Sequence, residues 1–223
     1  MRIMLIALLV ALVSPAWAQT PSAGIPDTVV EGGRLGRAYA PLIGRLHSER
    51  LVLLFRHDRT AINGRWDYEP YVIGGCDQQR GLSDAGRASA QAIGTAIQLL
   101  NLPIRRVIAS PYCRAIDSAR LMFGGVHQIT PELIGADGKE RNFDTVRTDL
   151  SRLIARESPE HGLLVMVGHH GTIDALTTRM LDEGDALVLH RTDAGNIQIV
   201  AHIPAARWDE IARDLDRAAY EPG

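Results

Sequence analysis

Arg56-His57, Ser110 with Arg114, and His169 are the residues whose types and places best suit chemistry. Each group follows a short apolar run. Two arginines and two histidines meeting in one pocket would suit a dianion such as a phosphoryl group. Guanidinium forks bind its oxygens in pairs, and a helix opening at Pro111 would add a favourable dipole. A neutral imidazole facing phosphorus can attack it. A second imidazole, if protonated, would stabilise charge on the equatorial oxygens. His47, His127, His161, His190 and His202 have no such context and read as surface or hydrogen-bonded residues. His169-His170 does not read as a metal pair, because adjacent side chains point apart and no third ligand is obvious. Neither cysteine fits a Cys-x5-Arg nucleophile: six residues beyond Cys76 and Cys113 stand Leu82 and Ala119.

These residues need elements to bring them together. Leu51 to Phe55, Arg106 to Ala109 and Leu163 to Val167 are continuous apolar or apolar-ending runs, the pattern of strands buried on both faces of a parallel sheet. Helices are predicted over Gly33 to His47, from Ser83 to Leu100, from Ser110-Pro111 to Gly124, over Phe143 to Ala155, from Ile173 to Leu181 and over Ala205 to Ala218. Ser83 reads as an N-cap, and Ser110-Pro111 as an N-cap and first-turn pair. Ala186 to His190 and Ile197 to His202 read as further strands. The alternation indicates an α/β fold with a mainly parallel sheet. In such sheets ligands bind beyond the carboxyl ends of the strands, where the three polar clusters stand. The stretch 58–82, holding five glycine or proline residues, reads as a long functional loop.

The 223 residues carry 24 Lys plus Arg against 26 Asp plus Glu, with 46% hydrophobic residues. That is an ordinary globular composition, long enough for one domain with a sizeable core. A net charge of −2 without a basic stripe argues against nucleic-acid binding. At the start, Arg2, the apolar run Ile3 to Val13 and the small-residue end at Ala16-Trp17-Ala18 have the form of a secretory signal. The run is shorter than the about 20 residues that a span needs. Residues 1–18 are therefore expected to be removed after Ala18, with no membrane span remaining and a periplasmic or secreted product. Residues 19–32 are read as a flexible lead-in and 33–223 as the folded domain. In an oxidising compartment Cys76 and Cys113 can form a single bridge; the alternative is two separate thiols.

Four motifs, in order, resemble the histidine phosphatase superfamily, which has the phosphoglycerate-mutase-like fold. Arg56-His57-Asp58-Arg59-Thr60-Ala61-Ile62-Asn63 is similar to its Arg-His-Gly-x-Thr-x-x-Asn motif, and Leu82 to Ala90 to its Leu-Thr/Ser-x-x-Gly-x-x-x-Ala helix start. Ser110-Pro111-Tyr112-Cys113-Arg114-Ala115 resembles its Ser-Pro-x-x-Arg-Ala motif. Val167-Gly168-His169 resembles the context of its second catalytic histidine. The resemblance, which covers residues 51 to about 181, implies a single three-layer α/β/α domain around a mainly parallel sheet. It also implies an exported phosphomonoesterase in which His57 becomes phosphohistidine while Arg56, Arg114 and His169 hold the phosphoryl group, with no metal or other cofactor. Thr60 and Asn63 match positions that face phosphate or substrate in relatives. Arg80 reads as a rim contact or a surface residue, and His170 as a pocket neighbour without an assigned role.

Two departures stand out. Asp58 replaces the motif glycine; its carboxylate could hold the imidazole tautomer, point to solvent or serve as acid. The family's usual proton donor is a Glu in a Leu-x-Glu context, but here Leu133-Ile134 is followed by Gly135. Asp58, Glu132, Asp137 and Glu140 are the substitutes in reach of that reading. Without a good acid the enzyme would favour good leaving groups, since proton donation contributes ~10²–10⁴-fold. The expected partner is a small phosphate ester or a phosphorylated envelope component. Two other readings are a phosphate-binding or sensing module of weak activity and a mutase-type phosphotransferase.

Overall fold

The structure is a computed structural model that describes residues 35–62, 75–136 and 141–220. The expected signal, its cleavage point, and Asn63, Asp137 and Glu140 lie outside the described residues.

Six strands form one sheet in the order β3-β2-β4-β1-β5-β6. They are β1 (Val52–Arg56), β2 (Ile104–Ala109), β3 (Gln128–Ile129), β4 (Leu163–Gly168), β5 (Ala186–Arg191) and β6 (Ile197–Ile203). The first four in that order are parallel, whereas β5 runs antiparallel to β1 and β6 antiparallel to β5. Side chains alternate across a strand, and both faces of β1 are apolar. Leu53 and Phe55 join one core cluster, Val52 and Leu54 the other.

The first face is covered by α1 (Leu35–Ser48), α2 (Asp84–Leu99), α3 (Cys113–Phe123) and α6 (Arg207–Tyr220), which supply Leu46, Ile93, Met122 and Trp208. The second is covered by α4 (Phe143–Glu157) and the single turn α5 (His170–Ile173), with Leu150, Leu153 and Ile173. The expected three-layer architecture is therefore present. Among the described residues no helix is long and apolar enough to cross a membrane.

Three expectations need correction. The helix beyond β2 opens at Cys113 with Tyr112 as N-cap, not at Ser110-Pro111. The helix expected over Ile173 to Leu181 is only the turn His170–Ile173. The Ala175 carbonyl, which would have continued it, accepts from Arg147 Nη1 at 2.8 Å, and two β-branched threonines follow. The short strand β3 was not anticipated. Ser83 does cap α2, accepting the Gly86 amide at 3.0 Å, and Gly124, at φ 76°, ends α3 in the left-handed region.

Candidate active site

The carboxyl ends of β2, β4 and β1 lie side by side, because Ala109 and Phe55 both pair in register with Val167. The chain leaves them still bonded: His57 N donates to Gly168 O at 3.0 Å and Ser110 N to Val167 O at 3.0 Å. Strands stand about 4.8 Å apart, so this register brings His57, Ser110 and His169 together. The His57 and His169 ring centroids are 5.2 Å apart, and both residues are buried with Arg114 and Ser110.

The partners of each ring fix its tautomer. His57 Nδ1 is 2.9 Å from the Asp58 carbonyl, which can only accept, so Nδ1 carries the proton and Nε2 the lone pair. His169 Nδ1 faces Arg114 Nη2 at 3.4 Å, and arginine can only donate. His169 Nε2 therefore holds the proton and gives it to Ser110 Oγ at 2.7 Å. Ser110, expected as a helix cap, is the orienting partner of the second histidine. Burial pushes the His57 ring well below the ordinary histidine range, and the Arg114, Arg56 and Arg80 charges add to this. His169 is lowered for the same leading reason, with the His57 and Arg114 charges next. The protein's own groups thus favour two neutral rings.

The arginines converge on the same place. Arg114, in the first turn of α3, lies 4.4 Å over the Tyr112 ring, which meets the His169 ring edge-on at 4.8 Å. Arg56 Nη1 donates to Leu181 O at 2.6 Å, while its buried Nε has no partner among the described residues. The Arg80 charge bears on both imidazoles. Its segment is tied to α3 by the Cys76–Cys113 disulfide, and Gln79 Oε1 accepts the Cys113 amide at 2.8 Å. Ser118 joins the two halves, accepting from Asp58 N at 2.9 Å and donating to Arg114 O at 2.8 Å.

The other expected residues have different places. The Asp58 carboxylate is fully buried and takes the Arg59 amide at 2.7 Å; the tautomer is held by its backbone carbonyl instead. Burial raises this carboxyl above its ordinary range. Glu132 is bound to Arg156 at 2.7 Å and to Thr130 at 3.0 Å; chiefly the Arg156 hydrogen bond keeps it ionised. His170 Nδ1 pairs with Asp174 at 2.5 Å on α5. Thr60 Oγ1 donates to Glu183 Oε1 at 3.2 Å.

Sequence reasoning missed Glu183 and Ser118. Glu183 Oε1 lies 3.7 Å from Arg56 Nη2 and 3.9 Å from His57 Nδ1. A rule that searches the carboxyl ends of strands misses it, because Glu183 precedes β5, whose antiparallel start lies beside Phe55 at the end of β1. No cluster of three metal-ligating side chains occurs among the described residues.

No family model matches the sequence, and no curated protein matches it. Solved structures do match in fold. The protein histidine phosphatase SixA complexed with tungstate gives a TM-score of 0.53 at 15% identity, covering 70% of this chain and 98% of that one. A phosphoserine phosphatase variant from Entamoeba histolytica in complex with phosphoserine gives 0.53 at 14% identity, covering 70% and 97%. The mycobacterial glucosyl-3-phosphoglycerate phosphatase in complex with VO3 gives 0.51 at 16% identity, covering 68% and 97%.

Proposed function

From the phosphoglycerate-mutase-like fold that this chain shares with histidine phosphatases, we propose that it is a phosphomonoesterase working through phosphohistidine on His57. The observation that carries this reading is the pair of tautomers. Asp58 O holds the proton on Nδ1, so the free electron pair of Nε2 lies in the same pocket as His169, Arg114 and Arg56. Three structural neighbours are phosphatases, and their structures contain tungstate, phosphoserine or VO3.

In the first step Nε2 donates its pair to phosphorus and the bond to the leaving oxygen breaks, its electrons going with that oxygen. Arg56 and Arg114 neutralise the equatorial oxygens. A bound dianion places negative charge beside His169 and favours its cationic form. Water then attacks phosphorus, the N–P bond breaks to return the electron pair to His57 Nε2, and the proton shed by the water balances the one taken up by the departed alkoxide, leaving alcohol and inorganic phosphate. This chemistry needs no metal. The substrate is a small phosphate ester or a phosphorylated envelope component. The leader-like first 18 residues and the Cys76–Cys113 disulfide support an exported protein.

The test is hydrolysis of an activated aryl phosphate in the presence of EDTA, by the chain and by His57→Ala. Turnover that falls to background in the variant is expected. Turnover unchanged by the substitution, or dependent on added divalent metal, would overturn the reading. Vanadate binding without turnover in the wild type would favour a phosphate-binding module.

A further inference from the structure

The segment Leu181 to Asp185 reaches the site from the sheet's antiparallel side and is fixed there from several directions. The Asp185 carboxylate accepts from His202 Nε2 at 2.8 Å, from Ala205 N at 2.8 Å and from Asp182 N at 3.1 Å. Its carbonyl accepts Arg56 N at 3.0 Å, and Gly184 N donates to His57 O at 3.1 Å. Gly184 has φ +91°, and a Cβ there would come 3.0 Å from both Asp58 Oδ2 and Ala205 Cβ. Only glycine lets the segment lie this close to the His57 loop.

Glu183 is thereby set with Oε1 3.2 Å from Thr60 Oγ1, 3.7 Å from Arg56 Nη2 and 3.9 Å from His57 Nδ1. Its side chain is 22% exposed. It stands by the protonated nitrogen of the ring, not by the attacking one. The charges around His57 are otherwise mostly positive: Arg56 on its own strand, Arg80 on the disulfide-linked segment, Arg114 on α3, and the titratable His169 beyond β4. Asp58, on the His57 loop, turns its carboxylate to the Arg59 amide.

We infer that Glu183 is a positioning residue for His57: fixed by Thr60 and Arg56, its carboxylate orients the ring and stabilises the positive charge that phosphorylation places on it. The inference rests on the phosphohistidine reading. When Nε2 bonds phosphorus while Nδ1 keeps its proton, the ring carries a full positive charge among three arginines. A carboxylate about 4 Å away offsets that charge, and no proton need move.

Glu183→Gln and Glu183→Asp in the full chain test this, with aryl phosphates of graded leaving-group pKa. Glu183→Gln should lower kcat by roughly 10- to 100-fold, by the same factor for every leaving group, with KM not raised. Glu183→Asp should restore part of the rate. An unchanged kcat would overturn the inference. So would a loss that grows with leaving-group pKa, which marks a proton donor to the substrate. Nitrogen-15 spectra of the His57 ring separate this from failure of the phosphatase reading, because they require no turnover. If the wild type is inactive the phosphatase reading fails. A displaced Nδ1–H resonance and a lower titration point in Glu183→Gln would then support the placement of Glu183, and an unmoved resonance would refute it.

Discussion

At Gly135, where the sequence reading looked for an acid, the backbone leaves no room for one. A Cβ at this position would lie 2.5 Å from Gly171 C and 2.5 Å from Thr172 N. Ala136 N donates to Gly171 O at 3.2 Å, so two backbone segments are pressed together with no room for a side chain. Burial acts on the two imidazoles in a different way. Both are lowered in the folded protein, while the unfolded chain protonates them near pH 6.5. Below that value the unfolded state binds more protons, so stability is full above about pH 6.5 and is lost as pH falls toward the folded values. Thermal unfolding followed from pH 7.5 to pH 5 should show this decline. His169→Asn should flatten it.

Among the elements, α3 shows how distant parts of the chain set a local start. Its first amide, Cys113 N, is satisfied by Gln79 Oε1, from a residue 34 positions earlier. Ser110 is thus released from capping and can hold His169. The disulfide keeps the Gln79 segment in place, and with it Arg80. Closing a loop with a sequence separation of 37 residues stabilises a fold by roughly 2–4 kcal/mol through the unfolded state. Cys76→Ser/Cys113→Ser, or the reduced wild type, should therefore unfold at lower denaturant by that margin. KM for a phosphate ester should rise more than kcat falls, because Arg80 and α3 lose their common anchor while the His57 loop remains bound to β4.

At the scale of the whole molecule, the core on the α6 side closes around Trp208. Its ring is fully buried and stacks on Phe55 at 5.8 Å, and Phe55 in turn meets Phe123 edge-on at 5.6 Å. This aromatic cluster sits under the strand that ends in Arg56-His57. Trp208→Ala should cost about 3–5 kcal/mol, read as a lower urea midpoint with an unchanged slope, and activity at low temperature should persist.

The amino-acid sequence by itself determined the strands buried on both faces, the caps at Ser83 and Gly124, and the meeting of Arg56, His57, Arg114 and His169. These signals are local: apolar runs, turn residues and charged groups directly after strands. It did not determine the length of α5, where Arg147 takes a carbonyl from outside, or the start of α3, where Gln79 supplies the cap. Nor did it reveal Glu183. That residue has no motif, and its place beside His57 exists because β5 runs antiparallel to β1 and opens at the edge where β1 ends. Strand direction and the partners of single carbonyls and amides depend on pairing between distant segments. Only the tertiary structure decides these, because no local pattern of residue types records which distant group will satisfy a given polar atom.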